Sequence, residues 1–179
     1  MKRAWLLIAV TVLIGTSVDA DDKSGPIYSP VSKSYFQLFS DNTYPGTWVA
    51  AKQRAEAHRF RGVKGRLAVV DSPEIDRFII SRFGFKHETW IGLRYWCSFR
   101  KLQWINGEAF SPADRRKYTN WHAKWYRSDE TICGTGTLTS HDDYMPVYYL
   151  SIAGAARWQA VGDKKWFKYY LVEYPTKGE

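Results

Sequence analysis

The change of pattern at Gly84 does most to limit what this chain can fold into. Before it lie two helical signals, and after it only short strand-like segments rich in aromatic and β-branched residues. In the first helical stretch, "TWVAAKQRAEAHRF", Thr47 can cap the helix, with Trp48, Ala51, Ala55 and Phe60 roughly on one face. The second, "DSPEIDRFIISRFG", has Ser72 at the N-cap, Pro73 at the first helical position and Glu74 in the first turn, and Gly84 closes it. Ile75, Phe78, Ile79 and Phe83 form its apolar stripe. "SYFQLFSD" before the first helix alternates as a strand, and "GRLAVV" between the helices is a short apolar strand. "TWIGL", "LQWI", "VYYLSI", "RWQAV" and "FKYYLVEY" read as strands, with Asn106-Gly107 as a tight turn behind "LQWI". Early helices followed by bunched strands indicate an α+β architecture. Between Asn120 and Asp143 runs a long stretch of Gly, Thr, Ser and Asp with little periodicity, a loop of a length that is either functional or disordered.

Residues 1–20 combine a short positive start, an apolar run over residues 4–15 and the small pair Val18 and Ala20, the three parts of a secretory signal. Cleavage after Ala20 would leave one domain of ordinary size, with residues 21–30 as a leader, 31–175 as the domain and 176–179 as a tail. The expected location is secreted or periplasmic, with no membrane span after cleavage. The whole chain carries 26 Lys+Arg against 18 Asp+Glu. Removing Lys2, Arg3 and Asp19 gives 24 − 17 = +7, a balance that draws a chain to polyanions but, without a clustered basic run, is accounted for by solubility alone. Nucleic acid is not expected, because no binding motif accompanies the charge. Aromatics make up 17% of the chain, with nine Trp and twelve Tyr, enough to serve both a core and stacking platforms.

These pieces resemble the C-type lectin-like domain, in a pattern most like the bacterial branch of the family. "TWVAAKQRA" is similar to its first helix, and "GRLAVVDSPEIDRFI" to its strand and second helix. "WIGL", residues 90–93, resembles its central signature unchanged. "LQWINGEAF" with "YTNW" resembles the hairpin entering its long loop, and "RWQAV" and "YYLVEYP" its last two strands. The resemblance spans roughly residues 31–175. It implies that Trp90, Ile91, Leu93 and Trp104 are core.

The departures concern bridges and calcium. The family's first disulfide falls on Ala55 and Val172, so an apolar pair stands in its place. For the strand after the long loop two registers fit. Either "TICG" puts Cys133 at the family position, with its partner near Lys164, or "HDDYM" puts Tyr144 there; the Tyr144 to Trp158 spacing favours the second. The only two cysteines, Cys97 and Cys133, are expected to bridge in an oxidising compartment. The family binds sugars through calcium held by a loop tripeptide and by "WND" on the penultimate strand. Here those positions read Trp125-Tyr126-Arg127 and Trp158-Gln159-Ala160, with Asp142 and Asp143 standing for the family's further acid and Asp129 and Glu130 nearby. Calcium wants six to eight oxygens, so no metal and no cofactor is expected. Trp125, Tyr126, Arg127, Asp142, Asp143 and Gln159 are the candidate ligand-binding residues.

His58, His87, His122 and His141 offer no set of three or four convergent metal ligands, and neither cysteine is marked as an activated nucleophile. "GTGTLTS" lacks the lysine and the preceding strand of a phosphate loop. The related fold of sulfatase-activating enzymes goes with longer chains and late paired cysteines. The expectation is a non-catalytic, calcium-independent module that binds an acidic glycan through the long loop. The alternative is a module for an extracellular or envelope protein.

Overall fold

A computed structural model describes residues 25–42, 46–123, 143–152 and 155–176. It contains β1 (Ile27–Ser29), β2 (Ser34–Ser40), α1 (Trp48–Ala57), β3 (Arg59–Phe60), β4 (Val63–Lys64), β5 (Arg66–Leu67), α2 (Pro73–Phe83), β6 (Thr89–Trp96), β7 (Lys101–Trp104), β8 (Ala109–Phe110), β9 (Tyr144–Ile152), β10 (Ala155–Ala160) and β11 (Tyr169–Pro175). This is an α+β fold in which the strands are mostly antiparallel.

Both helices start where local chemistry dictates. The Thr47 side chain accepts from the Ala50 amide, and the Ser72 side chain from the Ile75 amide. Gly84 ends α2 in the left-handed region at φ 48°, and its amide donates to the Ile80 carbonyl. Helix α1 stops at Ala57, so Phe60 enters β3 instead of the helical face. The Asn106-Gly107 turn joins β7 to β8, with Gly107 at φ 94°.

Strand β11 is the spine of the main sheet. It pairs antiparallel with β2 and β5 and parallel with β6. Strand β6 then pairs with β7 and β9, and β9 with β10. Strand β1, in the segment read above as a leader, adds to β2 through Ile27↔Phe36. The strand after the long loop begins at Tyr144, the second of the two registers.

The "WIGL" strand sits at the centre. Trp90, Ile91, Leu93 and Trp104 are buried, as the resemblance implied. The Trp90 indole donates to the Gly46 carbonyl at 2.8 Å, and the Trp48 indole to the Ile91 carbonyl at 2.7 Å, which locks α1 against β6. Gly92 is required by close approach: a Cβ there would lie 2.7 Å from the Leu67 carbonyl oxygen. Ala55 and Val172 are both fully buried in one cluster, with Gly65 wedged against them. Hydrophobic contact thus occupies the place of the family's first bridge. No helix among the described residues is long and apolar enough to cross a membrane.

Candidate functional site

The chain leaves β8 at Phe110 and rejoins the sheet at Tyr144, and the described residues at both roots of this excursion are tied to the body. At the entry root, Asn120 and Trp158 zip together. The Trp158 amide donates to the Asn120 carbonyl at 2.7 Å, and the His122 amide to the Trp158 carbonyl at 2.9 Å. The Trp158 ring is fully buried. Trp104, Tyr118 and Trp121 each meet it edge to face, with centroids 5.6 Å away.

Beneath this hub lies a buried carboxylate. Asp76, on α2, is only 3% exposed. It accepts from the Tyr118 hydroxyl at 2.9 Å, the Asn120 amide at 2.9 Å and the Tyr149 hydroxyl. Asn120 also donates to the Ala156 carbonyl at 3.1 Å and accepts from Arg157. Burial pushes the Asp76 carboxyl above its ordinary range, while its three donors and Arg157 pull the other way. Burial, joined by the Asp76 charge, also raises the Tyr118 and Tyr149 hydroxyls.

At the exit root, Asp143 sits at φ 49° and clasps the turn after β6. Its carbonyl accepts from the Cys97 amide at 3.1 Å, and its carboxylate from the Ser98 amide at 3.0 Å. Next to it, Tyr144 packs against Trp48 and Trp96. The Arg94 guanidinium lies over these rings, 4.7 Å from the Trp96 centroid and 5.5 Å from that of Tyr144.

Trp125, Tyr126, Arg127, Asp142 and Cys133 lie outside the described residues. Asp143 and Gln159 lie inside them and are not hydrogen-bonded to each other. Gln159, on β10, accepts from the Tyr148 hydroxyl at 3.0 Å, and burial pushes that phenol up to about 12. At the family's "WND" position the ring of Trp158 is core, the Gln159 oxygen is already bonded and Ala160 has no side-chain donor. The described part of the calcium position therefore does not fit the oxygen set the ion requires. No group of three His, Cys, Asp or Glu side chains suited to a metal is present among the described residues. No described cysteine is a free thiol.

Sequence reasoning singled out none of Asp76, Tyr118, Asn120, Tyr149 or Arg157. One signal was present: Asp76 sits beside Ile75 and three residues before Ile79, along the edge of the apolar stripe.

The profile of the Lectin C-type domain matches residues 47–143, more than half of the chain. The chain belongs to the C-type lectin domain family. Human lithostathine shares the fold with a TM-score of 0.57 at 20% identity, covering 86% of this chain and 99% of that one. The C-type lectin CEL-I from Cucumaria echinata gives 0.53 at 15% identity, with 88% and 97% covered. The carbohydrate-recognition domain of the human scavenger receptor C-type lectin gives 0.54 at 17%, with 86% and 99% covered. A search of curated proteins returns no match. Domains of this family are in general non-catalytic modules that bind glycans or proteins and typically work outside the cell.

Proposed function

We propose that this chain is an exported, non-catalytic module that binds acidic glycans without calcium through its long loop. The observation that carries the reading is the "WND" position, where Trp158 is kept as a core ring while an engaged amide and an alanine stand in place of the Asn and Asp. In the loop, Trp125 and Tyr126 supply faces for sugar rings and Arg127 a fork for carboxylate or sulfate. The described roots on either side of this segment, at Asn120–His122 and Asp143, are tied to the body of the domain. Asp142, Asp143 and Gln159 complete the candidate surface. The test is a glycan array with and without chelator. Binding to acidic glycans should be unchanged by chelator and weakened by Trp125→Ala and Arg127→Ala, with little change in melting temperature. Loss of binding on chelation would contradict the reading.

A second reading, a protein-interaction module, draws on Phe99. This ring is 70% exposed on the turn clasped by Asp143 and packs edge-on against Trp96. Silence on the array together with a protein recovered by pull-down would favour it.

We also propose a Cys97–Cys133 disulfide. The chain has two cysteines, and Cys97 is not free. Such a bridge would close a loop of 133 − 97 = 36 residues, worth about 4 kcal/mol in the chain-entropy model. Thiol titration of the exported protein, unfolded without reductant, should find none; two titratable thiols would end the idea.

A further inference from the structure

We propose that the segment linking β10 to β11 forms a second binding site, for an acidic polysaccharide, independent of the long loop. The segment reads "DKKWFK", residues 163–168. Its backbone is held at several points. The Lys165 amide closes a turn onto the Gly162 carbonyl at 3.0 Å, Trp166 bridges Thr47, and the Phe167 amide donates to the Gly46 carbonyl at 3.0 Å. The Lys168 carbonyl accepts from the Asp41 amide at 2.9 Å. Approach to the body is close enough that a Cβ on Gly46 would lie 2.5 Å from the Phe167 carbonyl oxygen.

This anchoring decides which side chains face outward. The Phe167 ring packs inward on Trp90 and Tyr148, with centroids 4.6 and 4.5 Å away. Its neighbour Trp166 is left 57% exposed. An indole held on a fixed backbone loses little freedom when a ligand covers it. Lys164 and Lys165 are exposed and have no ion pair among the described residues. The Lys168 ammonium lies 5.4 Å from the Tyr169 ring, and that ring stacks on His87 at 4.9 Å with only 5° between the planes. Rings and cations thus follow one another along the segment from Lys164 to Tyr169, with His87 stacked on the last ring. Asp163 and Glu88 are the acids beside it in the chain.

The chemistry selects the partner. Aromatic faces cover the apolar faces of pyranose rings, and lysine ammoniums pair as point charges with carboxylate or sulfate. An exposed strip of this kind suits a polymer that repeats its charge along its length. An anionic bilayer fits less well, because stable anchoring needs more apolar insertion than one indole.

The test uses the full exported chain against immobilised polygalacturonate, dextran sulfate and neutral dextran, and against phosphatidylglycerol vesicles. Both polyanions should bind and neutral dextran should not, with affinity falling as salt rises. Lys164→Glu with Lys165→Glu should weaken polyanion binding about tenfold through reversed charge. Trp166→Ala should weaken it about fivefold through lost stacking. Both variants should keep the wild-type melting temperature, since these side chains are outside the core. Unchanged binding in either variant, or tighter binding to vesicles than to polysaccharide, would overturn the site. Loop variants at Trp125 and Arg127 separate the two proposals. If they abolish polyanion binding while the lysine pair has no effect, the loop reading stands and this one falls.

Discussion

Replacing Trp158 with alanine should lower the unfolding midpoint by roughly 10–15 °C. The ring is fully buried and is the shared partner of Trp104, Tyr118 and Trp121. Truncating a buried tryptophan costs about 3–5 kcal/mol, because the transfer energy is lost and a cavity remains. In a domain of this size each kcal/mol shifts the midpoint by about 2–4 °C. The main-chain bonds from Trp158 to Asn120 and His122 do not need the ring. The variant should therefore still fold, but with Tyr118 and Trp121 unsupported at the loop's entry root. Calorimetry gives the midpoint. Limited proteolysis between residues 121 and 143 should speed up at temperatures well below it. A shift of only two or three degrees would show that the ring is not the hub described above.

Asp76→Ala should cost about 3 kcal/mol, or roughly 10 °C in midpoint, by leaving buried donors without an acceptor. The Tyr118 hydroxyl, Tyr149 hydroxyl and Asn120 amide all converge on this carboxylate. Tyr149 and Asn120 are buried, so water cannot easily replace it. A pH series adds an independent check. Burial raises the folded carboxyl above its ordinary value of 3.8, so the folded chain holds this proton more tightly than the unfolded chain does. The stability linked to that proton is full below the ordinary value and is lost as pH rises through the folded value. Asp76→Asn does not titrate, so the wild type should lose stability relative to it across that window. Parallel curves for the two proteins would contradict the assigned shift.

Much of the architecture was legible because its causes are local. Thr47 and Ser72 cap their helices through amides three residues on, and Gly84 ends α2 in the conformation a β-carbon disfavours. The Asn106-Gly107 turn and the "WIGL" strand likewise follow from neighbours in the chain. The apolar exchange at Ala55 and Val172 was visible through the resemblance, and both residues pack in the core. The start of β9 at Tyr144 stood as one of two registers. Alternation alone cannot place the end of a long loop, since pairing with β6 sets it.

The roots of the loop were not legible. Asp76 belongs to a helix whose one other acid, Glu74, is exposed and pairs with Arg77 at the surface. What separates it from Glu74 is contact with Tyr118, Asn120 and Tyr149, which lie 42, 44 and 73 positions away in the chain. The same holds for "KKWFK": composition shows charge and rings, but not which of them face out. By itself the sequence determined the helices, the hairpin turn and the core signature, since each depends on residues within a few positions. Only the tertiary structure decided that Asp76 is buried, that Trp158 anchors the loop's entry root, and that Phe167 turns inward while Trp166 faces solvent. Burial is a property of everything packed around a side chain, and most of that comes from distant parts of the chain.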